Sequence, residues 1–356
     1  MLILGGTGAM GVPVVQILAD RGHNVDVTTR SKRDDRPGVH YVMGDAHNLR
    51  FIQDVLNAGY NAIVDFMIYT PHEFENRVDL YLNSTNQYVF LSSARVYSDS
   101  HGEPITESTP RLLDVTEDKE YLATNEYALA KAREEDILIA SGRSNYTIVR
   151  PYITYYDERL QLGVFEKEVW LQRVLDGKKI VMSREIGERY TTVTYGYDVS
   201  LRIANLLGQS TALGEIFHIT TNRSIQWKQV ADIYMKVLGE YLGKRPQIIW
   251  TDKPNALMEQ YVHYQIYYDW MYNRHFDSKK IQDITMENQP FIEPEEGLRK
   301  CLENFLKDNK HFSQRDWKLE AVMDRISGDY SNILKIFGTK NKLKYLVYRY
   351  FRKYKV

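Results

Sequence analysis

The chain opens with Met1-Leu2-Ile3-Leu4 and passes at once into Gly5-Gly6-Thr7-Gly8-Ala9-Met10-Gly11. A continuous apolar run ended by glycine predicts a short strand buried on both faces, because a half-exposed strand would alternate. Beyond the glycines, Val14, Val15, Ile17 and Leu18 recur at helical spacing, so residues 13–19 predict a helix. A strand that turns into a helix through three spaced glycines, Gly5, Gly8 and Gly11, constrains the fold more than any other feature. The turn must be tight, and the helix must lie close against the sheet and lead to a parallel neighbour.

The remaining pattern supplies those neighbours. Residues 23–29, 39–45, 61–68, 88–93 and 146–151 read as further strands, and 48–57, 73–86 and 125–140 as helices between them. Such alternation predicts a Rossmann-type α/β fold: a doubly wound parallel sheet covered by helices on both faces, with ligands bound outside the carboxyl ends of the strands. After Pro151 the pattern loosens. We expect a dinucleotide-binding domain over 1–151, with a returning segment near 190–210 that includes a helix at 198–208. A smaller C-terminal α/β substrate domain over 152–305 and a basic helical extension over 306–356 follow.

Composition limits the alternatives. At 356 residues, 43% hydrophobic and 26% charged, the chain suits two soluble domains rather than disorder or membrane spans. A formal net charge of −1 gives no global reason to expect a nucleic-acid partner. A single cysteine, Cys301, excludes an internal disulfide framework and predicts a passive buried thiol. The opening apolar run is too short for a secretory signal and lacks a basic flank, which predicts a cytoplasmic protein. The histidines show no metal-ligand spacing.

The glycine loop has a chemical reading. A helix that begins at such a loop offers free N–H groups and a partial positive charge to a pyrophosphate, and glycine lets the backbone approach it. Gly5, Thr7, Gly8, Ala9, Met10 and Gly11 are therefore the expected dinucleotide cradle. A carboxylate at the end of the second strand would bind adenosine ribose hydroxyls, but Thr28 and Thr29 are followed there by Arg30, Lys32 and Arg33. Positive charge suits a 2′-phosphate, so NADP is the expected cofactor and NAD the alternative. Asp26 falls too early in the strand to serve. Asp45 and Ala46, after the third strand, could lie at the adenine edge; capping of the next helix by Asp45 is a compatible reading.

Tyr127 and Lys131, in Glu126-Tyr127-Ala128-Leu129-Ala130-Lys131, are four residues apart and so share one helical face. A nearby ammonium and the start of a helix near Thr124 or Asn125 would favour a phenolate, enabling proton exchange with an alcohol while hydride moves. The fifth strand ends at Ser92 and Ser93, which places hydroxyls at the edge where the ligand crevice is expected.

Glycine loop, strand-end serine, Tyr-x-x-x-Lys and Arg150-Pro151 occur in that order. With Gly44-Asp45-Ala46, the run Phe90-Leu91-Ser92-Ser93-Ala94-Arg95-Val96-Tyr97 and Gly214-Glu215-Ile216-Phe217-His218-Ile219-Thr220, the chain resembles the extended short-chain dehydrogenase/reductase family over residues 1–305. These are NAD(P)-dependent nucleotide-sugar epimerases, dehydratases and reductases. The resemblance implies that Tyr127 is the catalytic acid/base, Lys131 binds the nicotinamide ribose and tunes Tyr127, and Ser93 supplies the hydroxyl, with Asp45 and Ala46 flanking adenine. It further implies a small-molecule nucleotide-sugar substrate, a homodimer through residues 73–86 and 125–140, and a role in surface polysaccharide synthesis.

Departures narrow the expectation. Ala94 and Arg95 stand where dehydratases carry an Asp-Glu pair, Phe66 and Met67 replace small residues after the fourth strand, and Arg150-Pro151 lacks the usual asparagine and Gly-Pro turn downstream. An epimerase or reductase is thus expected rather than a dehydratase; a dinucleotide sensor or an RNA- or partner-binding protein is the reading from another class. Tyr261, Tyr264 or Trp270 could stack a ring, although aromatic-rich stretches are more often core. From Ser331 to Val356 every charge is positive. There Leu343, Leu346, Val347, Tyr350 and Tyr354 repeat opposite Lys344, Arg349, Arg352 and Lys353. That pattern suits either a terminal helix docked on its own protein or peripheral contact with an anionic membrane.

Overall fold

In the computed structural model, which describes residues 1–252, 264–285, 289–308 and 312–351, the apolar runs form the expected strands. These are β1 (Leu2–Leu4), β2 (Val25–Thr29), β3 (Val39–Met43), β4 (Tyr60–Asp65), β5 (Thr85–Leu91) and β6 (Tyr146–Pro151). The strand Glu215–Ile219, expected in the substrate domain, instead completes the sheet by pairing in parallel with β6. The order is Glu215–Ile219, β6, β5, β4, β1, β2, β3, and every pairing is parallel. The chain runs outward from β1 to β3, then returns to β4 on the other side of β1. The switch in winding therefore falls at the β1–β4 pair, beside the glycine loop.

Contacts divide the chain into two units. The first contains residues 1–156, 192–224 and 274–292, so the returning part is longer than the expected 190–210. Its sheet is covered on one face by helix α1 (Gly11–Asp20) and the helix Gly196–Leu206, which contribute Val14, Val15, Leu18, Val199 and Ile203 to one apolar core. On the other face lies a core that includes Ile52, Phe74, Tyr81, Tyr88 and Leu138. The expected helix over 73–86 is two short ones, Pro71–Glu75 and Val78–Asn83, the first closed by a capping box between Thr70 and Glu73.

The second unit contains residues 157–191, 225–273 and 293–356, so the last fifty residues join it rather than standing apart as an extension. Trp170 of the helix Lys167–Leu175 stacks on Tyr234 of the helix Trp227–Leu242 at 4.7 Å between ring centroids. Trp270 is buried and meets Trp227 at 5.1 Å, which makes it core; Tyr261 lies outside the described residues. Cys301 is buried as a free thiol. Among the described residues no helix is long and apolar enough to cross a membrane.

The helices Lys167–Leu175 and Trp317–Ser327 of this unit are joined by buried charge. Arg173 pairs with Glu320 (3.0 Å) and Asp324 (2.7 Å), and Lys178 pairs with Asp324 (2.9 Å) and Glu320 (2.5 Å). Tyr345 donates its hydroxyl to Asp324 Oδ2 (2.7 Å), and Ser331 Oγ bridges Lys178 Nζ (2.6 Å) and Asp324 Oδ2 (3.0 Å).

Candidate active site

A parallel sheet brings the carboxyl ends of all its strands to one edge. There the first unit gathers the Gly5–Gly11 loop after β1, Arg30 after β2, Asp45 and Ala46 after β3, Phe66 and Met67 after β4, and Ser92 and Ser93 after β5.

The glycines differ in what they do. Gly5 has φ of +69°, a left-handed conformation that favours glycine, and its N–H donates to Thr28 Oγ1 at 3.1 Å. Thr28 thus holds the loop. A Cβ on Gly11 would lie 2.6 Å from the backbone of Gly6, so α1 sits too close to the loop for any side chain there. A Cβ on Gly8 would meet nothing within 4 Å, leaving the loop backbone open to a ligand at the mouth of α1. Met10, the N-cap of α1, makes no capping bond with its side chain; its Sδ accepts from Thr154 Oγ1 at 3.8 Å instead. Free N–H groups, an open Gly8 and a positive helix end fit a pyrophosphate. Gly196, not singled out from sequence, has the same kind of constraint, since its Cβ would lie 2.8 Å from the carbonyl oxygen of Ala9.

At the adenosine side, Asp26 is occupied: it accepts from the Tyr60 hydroxyl at 2.7 Å, and His40 lies 3.5 Å away. Arg30 and Lys32 are exposed and carry no ion pair among the described residues. Asp45 is exposed and accepts from His47 N at 3.0 Å, while Asn48, not Asp45, caps the helix Leu49–Leu56 through Arg50 N and Phe51 N. Asx turns at both residues make them look alike in sequence; the spacing to the first helical N–H groups decides the cap.

Ser93, nearly buried, caps a single turn, Ala94–Val96, by accepting from Arg95 N at 3.2 Å. Among the described residues its hydroxyl proton has no acceptor. Tyr127 is the first residue of the helix Tyr127–Ala140, later than the expected start near Thr124 or Asn125, because Glu126 is the N-cap and accepts from Ala128 N at 2.8 Å. Arg95 ties the two segments together: its Nη2 donates to Glu126 Oε1 at 2.6 Å, and its guanidinium carbon lies 5.3 Å from the Tyr127 ring centroid. That ion pair occupies the place of the dehydratase acids.

Lys131 is buried against β5, its Nζ 4.7 Å from the Phe90 ring centroid and 2.9 Å from Glu134 Oε2. Glu134 is fully buried, and its other oxygen has no hydrogen-bond partner among the described residues. Burial pushes its carboxyl up to about 7, against the pull of Lys131. Asp65, also buried, accepts from Tyr88 OH (2.7 Å) and Met67 N (2.9 Å), and burial raises its carboxyl too. Glu135, one residue on, faces elsewhere. It accepts from Ser92 Oγ at 2.5 Å and from Arg150 Nε and Nη2 at 2.7 and 2.6 Å, and Arg111 reaches it at 3.3 Å. Arg150 is therefore a strut between helix and β6. The roles of Asp65, Glu134 and Glu135 were not singled out from sequence; two adjacent glutamates on one helix gave no sign of which neighbour each would meet.

A cleft of about 690 Å³ in the first unit opens elsewhere and is lined by residues such as Arg21, Gln87 and Asn205. Gln87 is already bonded there to Thr147, Leu206 O and Gly208 N, so the cleft holds a structural tie rather than waiting groups.

Residues 1–158 match the family described as NAD dependent epimerase/dehydratase. The chain is 25% identical over 256 residues to chloroplast stem-loop binding protein of 41 kDa b of Arabidopsis thaliana, a match covering 67% of this chain and 63% of that relative's length. Among solved structures, the Bordetella bronchiseptica enzyme WbmH in complex with NAD+ superposes with a TM-score of 0.64 at 16% identity, covering 86% of this chain and 98% of that one. UDP-N-acetylglucosamine 4-epimerase from Bacillus cereus does so with a TM-score of 0.63 at 17% identity, covering 88% and 97%. At such identities these structures speak for the fold alone, a Rossmann-type α/β fold with a parallel sheet between helices.

Proposed function

We propose, from the premise that residues 1–158 form an NAD-dependent epimerase/dehydratase domain, that the protein exchanges hydride and a proton at a carbinol carbon of a nucleotide-activated sugar. The observation that carries this reading is the placement of Tyr127 at the first helical position, tied through Arg95 to the turn capped by Ser93, on the same sheet edge as the glycine loop. An epimerase returns the hydride to the other face of the keto sugar; a reductase releases the alcohol. The likeness to UDP-N-acetylglucosamine 4-epimerase supports the substrate class, and supply of an activated sugar for surface polysaccharide fits it.

Residues Gly5, Thr7, Gly8, Ala9, Met10 and Gly11 would hold the pyrophosphate, Asp45 and Ala46 the adenine, and Tyr127 and Lys131 the nicotinamide ribose. Arg30, with Lys32 beside it, favours a 2′-phosphate and hence NADP over NAD. When bound, the nicotinamide supplies the hydride chemistry; the chain moves the proton. Tyr127 exchanges it with the sugar hydroxyl, Ser93 donates its unused proton to the same oxygen, and the Lys131 ammonium supports the phenolate. Glu134 competes for that ammonium when ionised. With a carboxyl near neutrality, it makes Lys131 more available below about pH 7 than above it.

Tyr127→Phe tests the reading. Turnover of uridine, guanosine or deoxythymidine diphosphate sugars, with NADP or NAD, should fall about 100-fold to 10,000-fold while cofactor binding persists. Undiminished turnover would exclude the phenol as the proton carrier. The name of the Arabidopsis relative favours one other reading, a protein that binds folded RNA on this scaffold. In that case a stem-loop RNA shifts in gel mobility equally with wild type and Tyr127→Phe, and no sugar nucleotide is turned over.

A further inference from the structure

The C-terminal segment of the second unit shows an unusual division of its faces. The helix Thr339–Leu346 and the turn Val347–Phe351 were expected to dock, if at all, through Leu343, Leu346, Val347 and Tyr350. They dock through the opposite side. Tyr345 is buried, meets Trp317 edge-on at 6.2 Å and bonds Asp324, while Lys318 sits 5.1 Å from the Tyr348 ring centroid. Leu346 and Val347 are half-buried, while Leu343 and Tyr350 at the middle of the apolar side are left in water. Leu343 is 62% and Tyr350 60% exposed, and seven residues of spacing put them on one line along the helix. The adjoining Leu334, Phe337 and Phe351 are 86%, 91% and 79% exposed. Tyr354, Arg352 and Lys353 lie outside the described residues.

Single exposed apolar side chains are ordinary, but five large ones within eighteen residues are a concentration of the kind that points to a binding surface. The charge around it selects the occupant. Lys335, Lys340 and Lys344 are exposed beside the apolar residues, and no acidic residue occurs from Ser331 to Val356. Two copies of so basic a face would repel. A nucleic acid would answer the lysines but leave Leu334 and Leu343 without a partner. An anionic bilayer answers both, with phosphate headgroups for the lysines and the acyl boundary for the leucines and phenylalanines.

We propose that residues 333–351 dock the protein peripherally on an anionic lipid surface, with Leu334, Phe337, Leu343 and Phe351 entering the headgroup boundary and the lysines at the phosphates. This inference stands apart from the proposed reaction, since it concerns a different unit and none of the residues placed in the catalytic machinery.

Co-sedimentation of the full chain with vesicles tests it. The protein should pellet with vesicles of mixed phosphatidylglycerol and phosphatidylcholine and stay in solution with phosphatidylcholine alone. The double variant Phe337→Ser/Leu343→Ser and, separately, Lys340→Glu/Lys344→Glu should each lower partitioning about tenfold or more. All four positions are exposed, and unchanged circular dichroism would show that both variants fold. The proposal fails if the protein ignores lipid charge or if the serine variant binds vesicles as wild type does. It fails equally if light scattering finds a dimer that the serine variant dissolves, or if stem-loop RNA, and not vesicles, responds to the glutamate variant.

Discussion

Lys131 in the first unit and Arg173 in the second each anchor a group of charged side chains removed from water, but the two groups are balanced differently. Around Lys131 a single ammonium faces two buried carboxyls, Asp65 and Glu134, and one oxygen of Glu134 has no partner among the described residues. Around Arg173, the cations Arg173, Lys178 and Arg315 meet Glu320, Asp324 and Asp329, and Asp324 also receives hydroxyl bonds from Tyr345 and Ser331. Burial therefore wins at Glu134 and raises its carboxyl, whereas at Asp324 the bonds from Tyr345 and Lys178 and the charge of Arg173 outweigh burial and lower it. A short supply of positive charge leaves a group poised to titrate. A full supply gives a fastening.

The largest way to break the contrast is Asp324→Ala. It leaves Lys178 with Glu320 and Arg173 with Glu320 and the more distant Asp329, and loss of one partner from a buried network costs about 3–5 kcal/mol, read as a lower urea midpoint. A cost under about 1 kcal/mol would mean that the network is wetter than its geometry. Asp324 has a folded value below its ordinary 3.8, so its contribution is present above that range and is lost as pH falls through the folded value.

Glu134→Gln sharpens the comparison from the other side. The Glu134 carboxyl stands at about 7 folded against 4.5 ordinarily, so the folded chain keeps a proton that the unfolded chain releases. Its contribution to stability is whole below about pH 4.5 and fades as pH rises through about 7, the reverse of Asp324. Stability of Glu134→Gln relative to wild type should thus rise by about 2.5 kcal/mol between about pH 5 and about pH 8. Parallel stability curves across that range would show that Glu134 does not titrate there. The smallest effect belongs to Ser331→Ala, which removes one bridging hydroxyl while every ion pair remains; about 1 kcal/mol in the unfolding free energy is expected. A loss as large as that of Asp324→Ala would make the serine, rather than the charges, the centre of the network.

Much of the first unit was legible before any coordinates. Period and punctuation placed six of the seven sheet strands, and the glycine loop, Ser93, Tyr127 and Lys131 stand along one sheet edge because parallel winding puts them there. The seventh strand, Glu215–Ile219, was misplaced because its pairing with β6 is far apart in sequence and no local signal says which sheet a short apolar run will join. The pairing of Lys131 with Glu134 was hidden for a related reason: residues 134 and 135 differ in sequence only by position, and about 100° of helical rotation sends one to Lys131 and the other to Arg150. In the tail, periodicity found an apolar face and left open whether it packs on the protein or on a membrane; Tyr345, off that face, fills the interior position. Tyr345 took that place because its hydroxyl could also bond Asp324, a gain no leucine offers.

Glu135 lies eight residues, or about 12 Å at the usual rise of a helix, beyond Tyr127. Bonded to Ser92 at the end of β5 and to Arg150 in β6, it acts as the pivot of a lever whose free arm carries the phenol. A small tilt about that pivot is magnified at Tyr127. Side chains in β6 can therefore set where the Tyr127 hydroxyl points, without touching that residue.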